Sequence, residues 1–155
     1  MQAVTQHAQA LYLAEDALTQ GHNVLVIGSS YGPLLRLGDE LEGSAYASVP
    51  RVREHLLKEW QEGTRRVLLY TAAAARQDAS HLAGSLRPLT VILLDRDKAD
   101  GMKAIQAMVR GGTLPLLRLL DLQREAIWIW RPLKMSTLTI PEKAGQRPLL
   151  RLEDV

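Results

Sequence analysis

The sequence predicts an α/β fold, a single open and mostly parallel sheet with helices on both faces, and three observations carry that prediction. Short apolar runs such as Val24-Leu25-Val26-Ile27, Val67-Leu68-Leu69-Tyr70 and Val91-Ile92-Leu93-Leu94 show no polar alternation, as expected of strands buried on both sides. Between them lie longer stretches with apolar residues three or four apart, the period of an amphipathic helix. The two kinds of segment alternate along the chain, which is the order of a sheet crossed by helices.

Each element has its own local reason. Residues 4–20 place Val4, Ala8, Leu11, Ala14 and Leu18 on one helical face, and Gly21 follows where a left-handed cap is expected. The first strand spans 23–28. A second helix is predicted over 33–42, with Pro33 in its first turn, Leu34, Leu35, Leu37 and Leu41 inward, and Gly43 as its stop. Residues 44–48 suit a short strand. Pro50 opens a third helix with Val52, Leu56, Leu57 and Trp60 on one face, closed by Gly63. A strand over 66–71 follows, then a helical or irregular segment, then the strand at 91–94. Residues 98–110 read as a helix with Met102, Ile105 and Met108 or Val109 inward, ended by Gly111-Gly112. Strands at 116–120 and 126–130 are close enough to form a hairpin around Gln123-Arg124. Beyond Arg131 the prolines at 132, 141 and 148 and the weak periodicity predict an extended tail. The expected organisation is therefore a domain over 1–131 and a tail over 132–155.

Composition excludes several classes. The 155 residues make one domain by length, long enough to bury a core without metal or disulfide support. There is no cysteine, so disulfide frameworks, thiolate metal sites and cysteine nucleophiles are out, and a reducing, cytoplasmic location fits. The net charge is only +2, too small by itself to mark a nucleic-acid binder. No apolar run approaches the roughly 20 residues of a membrane span, so no membrane is expected. Phe is absent and leucine dominates, which predicts an aliphatic core.

The run from Arg51 to Arg96 resembles the second RecA-like domain of superfamily-two helicases. Residues 24–27 followed by Gly28-Ser29-Ser30 match its opening strand, residues 33–48 the helix and short strand that come next, and residues 51–63 its arginine-starting, glycine-ended helix. Residues 67–71 match the strand that closes in a threonine, whose hydroxyl in that family contacts the nucleic-acid backbone. Ala75-Arg76 matches the start of the family's Ala-Arg-Gly-x-Asp turn, but Gln77 replaces the glycine and Asp78 comes one place early. Where the family carries two arginines to stabilise the transferred phosphate, this chain has Gln106 and Arg110-Gly111-Gly112. No Gly-x-x-x-x-Gly-Lys-Ser/Thr occurs, so the phosphate-cradling loop of an ATPase is missing. The resemblance implies a stand-alone RecA-like (Rossmann-like) fold with eroded chemistry and nucleic-acid contacts at Ser29, Thr71, Arg76 and Arg110, with no cofactor. Residues 8–41 also resemble the chi subunit of the bacterial polymerase clamp loader, through the Gln20-Gly21 turn, the Val-Leu-Val-Ile strand and Leu34-Leu35-Arg36-Leu37-Gly38-Asp39-Glu40-Leu41. That family acts in replication by binding a single-stranded-DNA-binding protein.

Other constellations carry open alternatives. Residues 28–32 could hold a phosphate on backbone N–H groups, or form a plain turn with a serine cap. Asp95 and Asp97 at the end of a central strand could bind magnesium in a nuclease or phosphotransfer enzyme, while Asp97 could equally cap the next helix. His7, His22, His55 and His81 lack metal-ligand spacing and suit helix or solvated surfaces. Trp128 and Trp130, on the strand face opposite Ile127 and Ile129, could stack on bases or fill the core. Basic residues lie near strand ends and turns, where they could contact phosphates or form an ordinary solvated surface.

The expected function is a non-catalytic binding protein in nucleic-acid metabolism, partnered by nucleic acid or by a protein that processes it. The alternatives are the magnesium enzyme using Asp95 and Asp97, and a subunit completing a composite ATPase with Arg76 or Arg110. The aliphatic clusters of the tail, Leu133 to Ile140 and Leu149 to Leu152, are expected to dock on the domain or on a second copy, the latter giving a homodimer, with strand addition at a sheet edge as the mode.

Overall fold

The computed structural model describes residues 2–94, 98–111, 114–122, 126–130 and 150–151. In chain order the elements are α1 (Gln2–Thr19), β1 (Asn23–Gly28), α2 (Tyr31–Glu40), β2 (Ser44–Tyr46), α3 (Pro50–Glu62), β3 (Val67–Thr71), α4 (Ala72–Gln77), α5 (Ala79–Leu82), β4 (Leu89–Leu93), α6 (Lys98–Gly111), β5 (Leu117–Asp121), β6 (Ala126–Trp130) and β7 (Leu150–Arg151). Among the described residues they form one seven-stranded sheet in the order β2-β3-β1-β4-β5-β6-β7. The first five strands in that order run parallel, with Val24 beside Val67 and Thr90, and Leu89 beside Leu117. β6 pairs antiparallel with β5 as the expected hairpin, and β7 pairs antiparallel with β6 through Leu150 opposite Ile127. This is the predicted α/β class.

Strand alternation splits the core in two. Val24, Val26, Val67, Leu69, Ile92 and Leu120 point to one face, where α1 and α2 cover them with Ala10, Leu13, Ala14, Leu34 and Leu37. Leu25, Ile27, Leu68, Tyr70, Val91, Leu93 and Leu119 point to the other, under α3 to α6. β1, β3 and β4 are buried along nearly their whole length, which is why they lack polar alternation. Trp60 anchors α3: its ring is fully buried and its Nε1 donates to the Leu82 carbonyl at 3.0 Å. Such a ring needs a partner for its one donor when buried.

Glycines end the helices as expected. Gly63 takes φ 87° and its N–H reaches back to α3, a conformation that disfavours other residues. Gly38 has a different reason, sitting inside α2 where a Cβ would come 2.9 Å from Leu69 Cδ1, so the missing side chain lets the helix lie close on β3.

Several details depart from expectation. Leu35 was expected inward but is 44% exposed, because it lies about 100° round the helix from Leu34, which faces the sheet. Val52, expected on the inner face of α3, is 40% exposed at its rim. β4 begins at Leu89, ahead of the expected 91. α2 starts at Tyr31, ahead of Pro33, so the proline occupies the third helical position, still within the first turn where its missing N–H is harmless. The helical or irregular segment after β3 is two short helices, α4 and α5, separated at Asp78.

Candidate functional site

The order of strands creates a crevice at the carboxyl end of β1. From β1 the chain crosses by way of α2 on one face toward β2, whereas from β3 and β4 it crosses through α4–α5 and α6 on the opposite face in the opposite direction. Ligands in open α/β sheets bind at such a divergence. The residues there are Gly28-Ser29-Ser30 after β1, Thr71 at the end of β3 and Leu94 after β4. Gly28 sits directly beside Thr71 in register, and the Leu94 N–H donates to the Ile27 carbonyl at 2.9 Å.

Each group is placed by its local sequence. Ser29 and Ser30 are exposed, and Ser30 precedes α2 without capping it through its side chain, so the expected serine cap is not made. Thr71 does cap: its hydroxyl accepts from the Ala74 N–H at 3.4 Å, which leaves the hydroxyl proton available to donate outward. Arg76 lies in the last turn of α4, half exposed, and donates through Nη1 to Asp100 on α6 at 2.9 Å. Arg110 is not brought to this crevice. α6 runs from the carboxyl to the amino edge of the sheet, and Arg110 lies in its last turn, about 18 Å along the axis from its start. Ser29, Thr71 and Arg76 are therefore gathered at one edge, with Arg110 at the other. Asp95 and Asp97 lie outside the described residues, as do the side chains of Trp128 and Trp130. Among the described residues no group of three or more His, Asp or Glu is placed to hold a metal ion.

A groove of about 630 Å³ runs along α3, against Asp78 between α4 and α5 and His81 on α5. At its floor Asp78 is held from two sides, by Arg53 Nε at 3.0 Å and by the Tyr70 hydroxyl, which donates to Oδ2 at 3.0 Å. Burial, the Asp78 charge and this hydrogen bond together push the Tyr70 phenol far above its ordinary range, so it stays a donor. The sequence signal for this network was Asp78 itself, displaced by one position from the helicase-like pattern. In that displaced position it serves as an anchor for Arg53 and Tyr70.

The amino edge of the sheet is built differently. Arg118 Nε donates to Thr90 Oγ1 at 3.2 Å, and Thr90 Oγ1 lies 2.9 Å from His22 Nδ1. With the threonine accepting from arginine, its own proton is left for His22 Nδ1, an arrangement that suits a neutral ring. Burial first, then the charges of Arg118 and Arg66, lower the His22 pKa. Arg66 Nη2 donates to the carbonyls of Leu18, in the last turn of α1, and of His22, in the turn that follows, at 3.3 and 2.8 Å. Asn23 Nδ2 donates to Ser85 Oγ at 2.8 Å. His22 was expected on a solvated surface and is instead half-buried in this network. Nothing in its spacing signalled that, because its partners lie 68 and 96 residues away.

No family model matches the chain, and no curated protein is similar to it in sequence. Among the described residues no helix is long and apolar enough to cross a membrane.

Proposed function

We propose that this is a non-catalytic, helicase-like α/β binding protein of the cytosol, acting in nucleic-acid metabolism, and that nucleic acid itself docks on the carboxyl edge. One observation carries the reading: the topological divergence at β1 brings the exposed Ser29–Ser30 loop beside the Thr71 hydroxyl, with Arg76 half exposed on the same edge. Hydroxyls, backbone N–H groups and arginines are the groups that hold phosphates in register without reading bases.

The separation of Arg76 from Arg110 supports binding without catalysis. A phosphoryl-transfer centre concentrates positive charge on one transferred group. Here the two arginines stand at opposite edges of the sheet, and the sequence has no lysine-bearing phosphate loop. A composite ATPase could use one of them, never both.

The test is a fluorescence-anisotropy titration of labelled single- and double-stranded oligonucleotides over a range of salt. Binding should be measurable at low salt and fall steeply as salt rises, because neutralised phosphates release counterions. Arg76→Ala should weaken it several-fold while leaving the melting temperature almost unchanged, since its ion pair with Asp100 is exposed. Absence of binding at low salt would remove nucleic acid as the ligand and leave a protein partner.

A further inference from the structure

We infer that the groove along α3 is the track of a nucleic-acid strand, holding its phosphodiester backbone between the cationic wall of α3 and His81. The inference rests on the reading of the carboxyl edge as a nucleic-acid site, and it extends that site from the edge onto the flank of the domain.

The wall follows from helix geometry. Arg51, His55 and Lys58 are four and then three residues apart, so they stand one above another on α3, with about 5–6 Å between neighbours. All three are exposed and line the groove, and His81 on α5 lines its other side. Among the described residues neither Arg51 nor Lys58 is engaged in an ion pair. The groove's remaining pair of opposite charges, Arg53 and Asp78, cancels itself at the floor. What is left is a ladder of cationic and imidazole side chains, opposed by Glu54 on the same helix and by Glu59, whose Oε2 lies 3.4 Å from His55 Nε2.

The side chains of the lining favour a charged ligand over one anchored by large apolar groups. Of the ten residues around the groove, Pro50 and Leu57 are the apolar ones, and Leu57 is itself buried in the core beneath. A docked protein segment would need apolar surface at the centre of its footprint. A repeating anion with a solvated, polar backbone needs none, and its evenly spaced charges match a ladder along a helix. The upper end of the groove, at Pro50 and Arg51, opens at the carboxyl edge because α3 starts there, where β2 ends. A strand leaving Thr71 and Arg76 therefore meets Arg51 first and Lys58 later.

The experiment compares the full-length protein with R51E/K58E, E54Q and Arg76→Ala in anisotropy titrations with single- and double-stranded oligonucleotides, each protein checked first by thermal melting. Both reversed positions are exposed, and the fold should tolerate them. R51E/K58E should lose at least tenfold in affinity, and its salt slope should shallow by about 1.4 on single strands, the value for two phosphate contacts. E54Q should bind two- to threefold more tightly. The comparison of single with double strands shows which source of phosphodiester fits. If R51E/K58E binds as the parent does while Arg76→Ala weakens binding, the groove is not the track, and the carboxyl-edge reading survives. If the parent binds no oligonucleotide at low salt, that reading fails as well. Displacement of bound DNA by oligoglutamate, at concentrations where an equally charged oligonucleotide does no better, would overturn the inference in favour of an acidic protein segment.

Discussion

The two edges of one sheet handle polar groups in opposite ways. At the amino edge His22, Thr90, Arg118, Asn23, Ser85 and Arg66 turn toward one another and toward the carbonyls at the end of α1. At the carboxyl edge Ser29 and Ser30 are exposed, Arg76 is half exposed in its ion pair with Asp100, and the Thr71 hydroxyl caps α4 as an acceptor. The strands that end there are equally apolar and equally buried, so the strands do not account for the difference. It arises from connectivity. Connections diverge at the carboxyl end of β1 and leave a gap, whereas at the amino edge the C-terminus of α1 folds over the strand starts. Polar residues at the amino edge tie the strand starts together, and those at the carboxyl edge stand at the surface, where we propose that the ligand docks.

Breaking the amino edge should cost the most stability. Thr90→Val keeps shape but leaves Arg118 Nε and His22 Nδ1 without their partner, both in or near the core. Two stranded polar groups should cost about 3 kcal/mol, a fall in melting temperature of about 6–12 °C for a chain this long. Oligonucleotide affinity of the folded protein should not move. Loss of affinity without loss of stability would mean the two edges are not separable in this way.

Thr71 sharpens the comparison because it has a role on each side. Thr71→Ala removes the α4 cap and should cost about 1 kcal/mol in urea denaturation, together with a loss of affinity. Thr71→Ser retains a hydroxyl and should restore both. If the alanine variant loses stability alone, the hydroxyl only caps.

The smallest expected effect is a pH dependence from His22. Its folded pKa lies below the ordinary 6.5 of the unfolded chain. Above pH 6.5 both states hold a neutral ring and His22 contributes no slope. As pH falls below 6.5 the unfolded state takes up the proton first, so stability declines until the folded pKa is passed. Urea midpoints at pH 7.5, 6.5 and 5.5, compared with a His22→Gln variant, should show that component of the decline weakened in the variant.

Much of the architecture was legible in sequence because its determinants are local. The apolar runs at 24–27 and 67–70 gave strands, Gly21, Gly43 and Gly63 gave helix stops, and the short link before Ala126 gave the hairpin. Ser29, Thr71 and Arg76 could be placed at one edge from their position after strands, since strand ends in a parallel sheet share an edge. Arg110 could not be so placed, because its distance from Arg76 depends on the direction and length of α6. The α3 groove was equally hidden. Arg51, His55 and Lys58 share a face of α3 by their spacing, but the other side at Asp78 and His81 depends on the break between α4 and α5, which no periodicity announces. The His22–Thr90–Arg118 relay joins three elements through register alone.

Amide hydrogen exchange with and without a saturating oligonucleotide distinguishes an edge that binds from one that only holds the fold together. Added protection should appear in residues 28–32, in α3 from Arg51 to Lys58 and across 71–81, with none at 20–23, 85–89 or 114–118. Protection confined to the amino-edge segments, or spread evenly over both edges, would contradict that division.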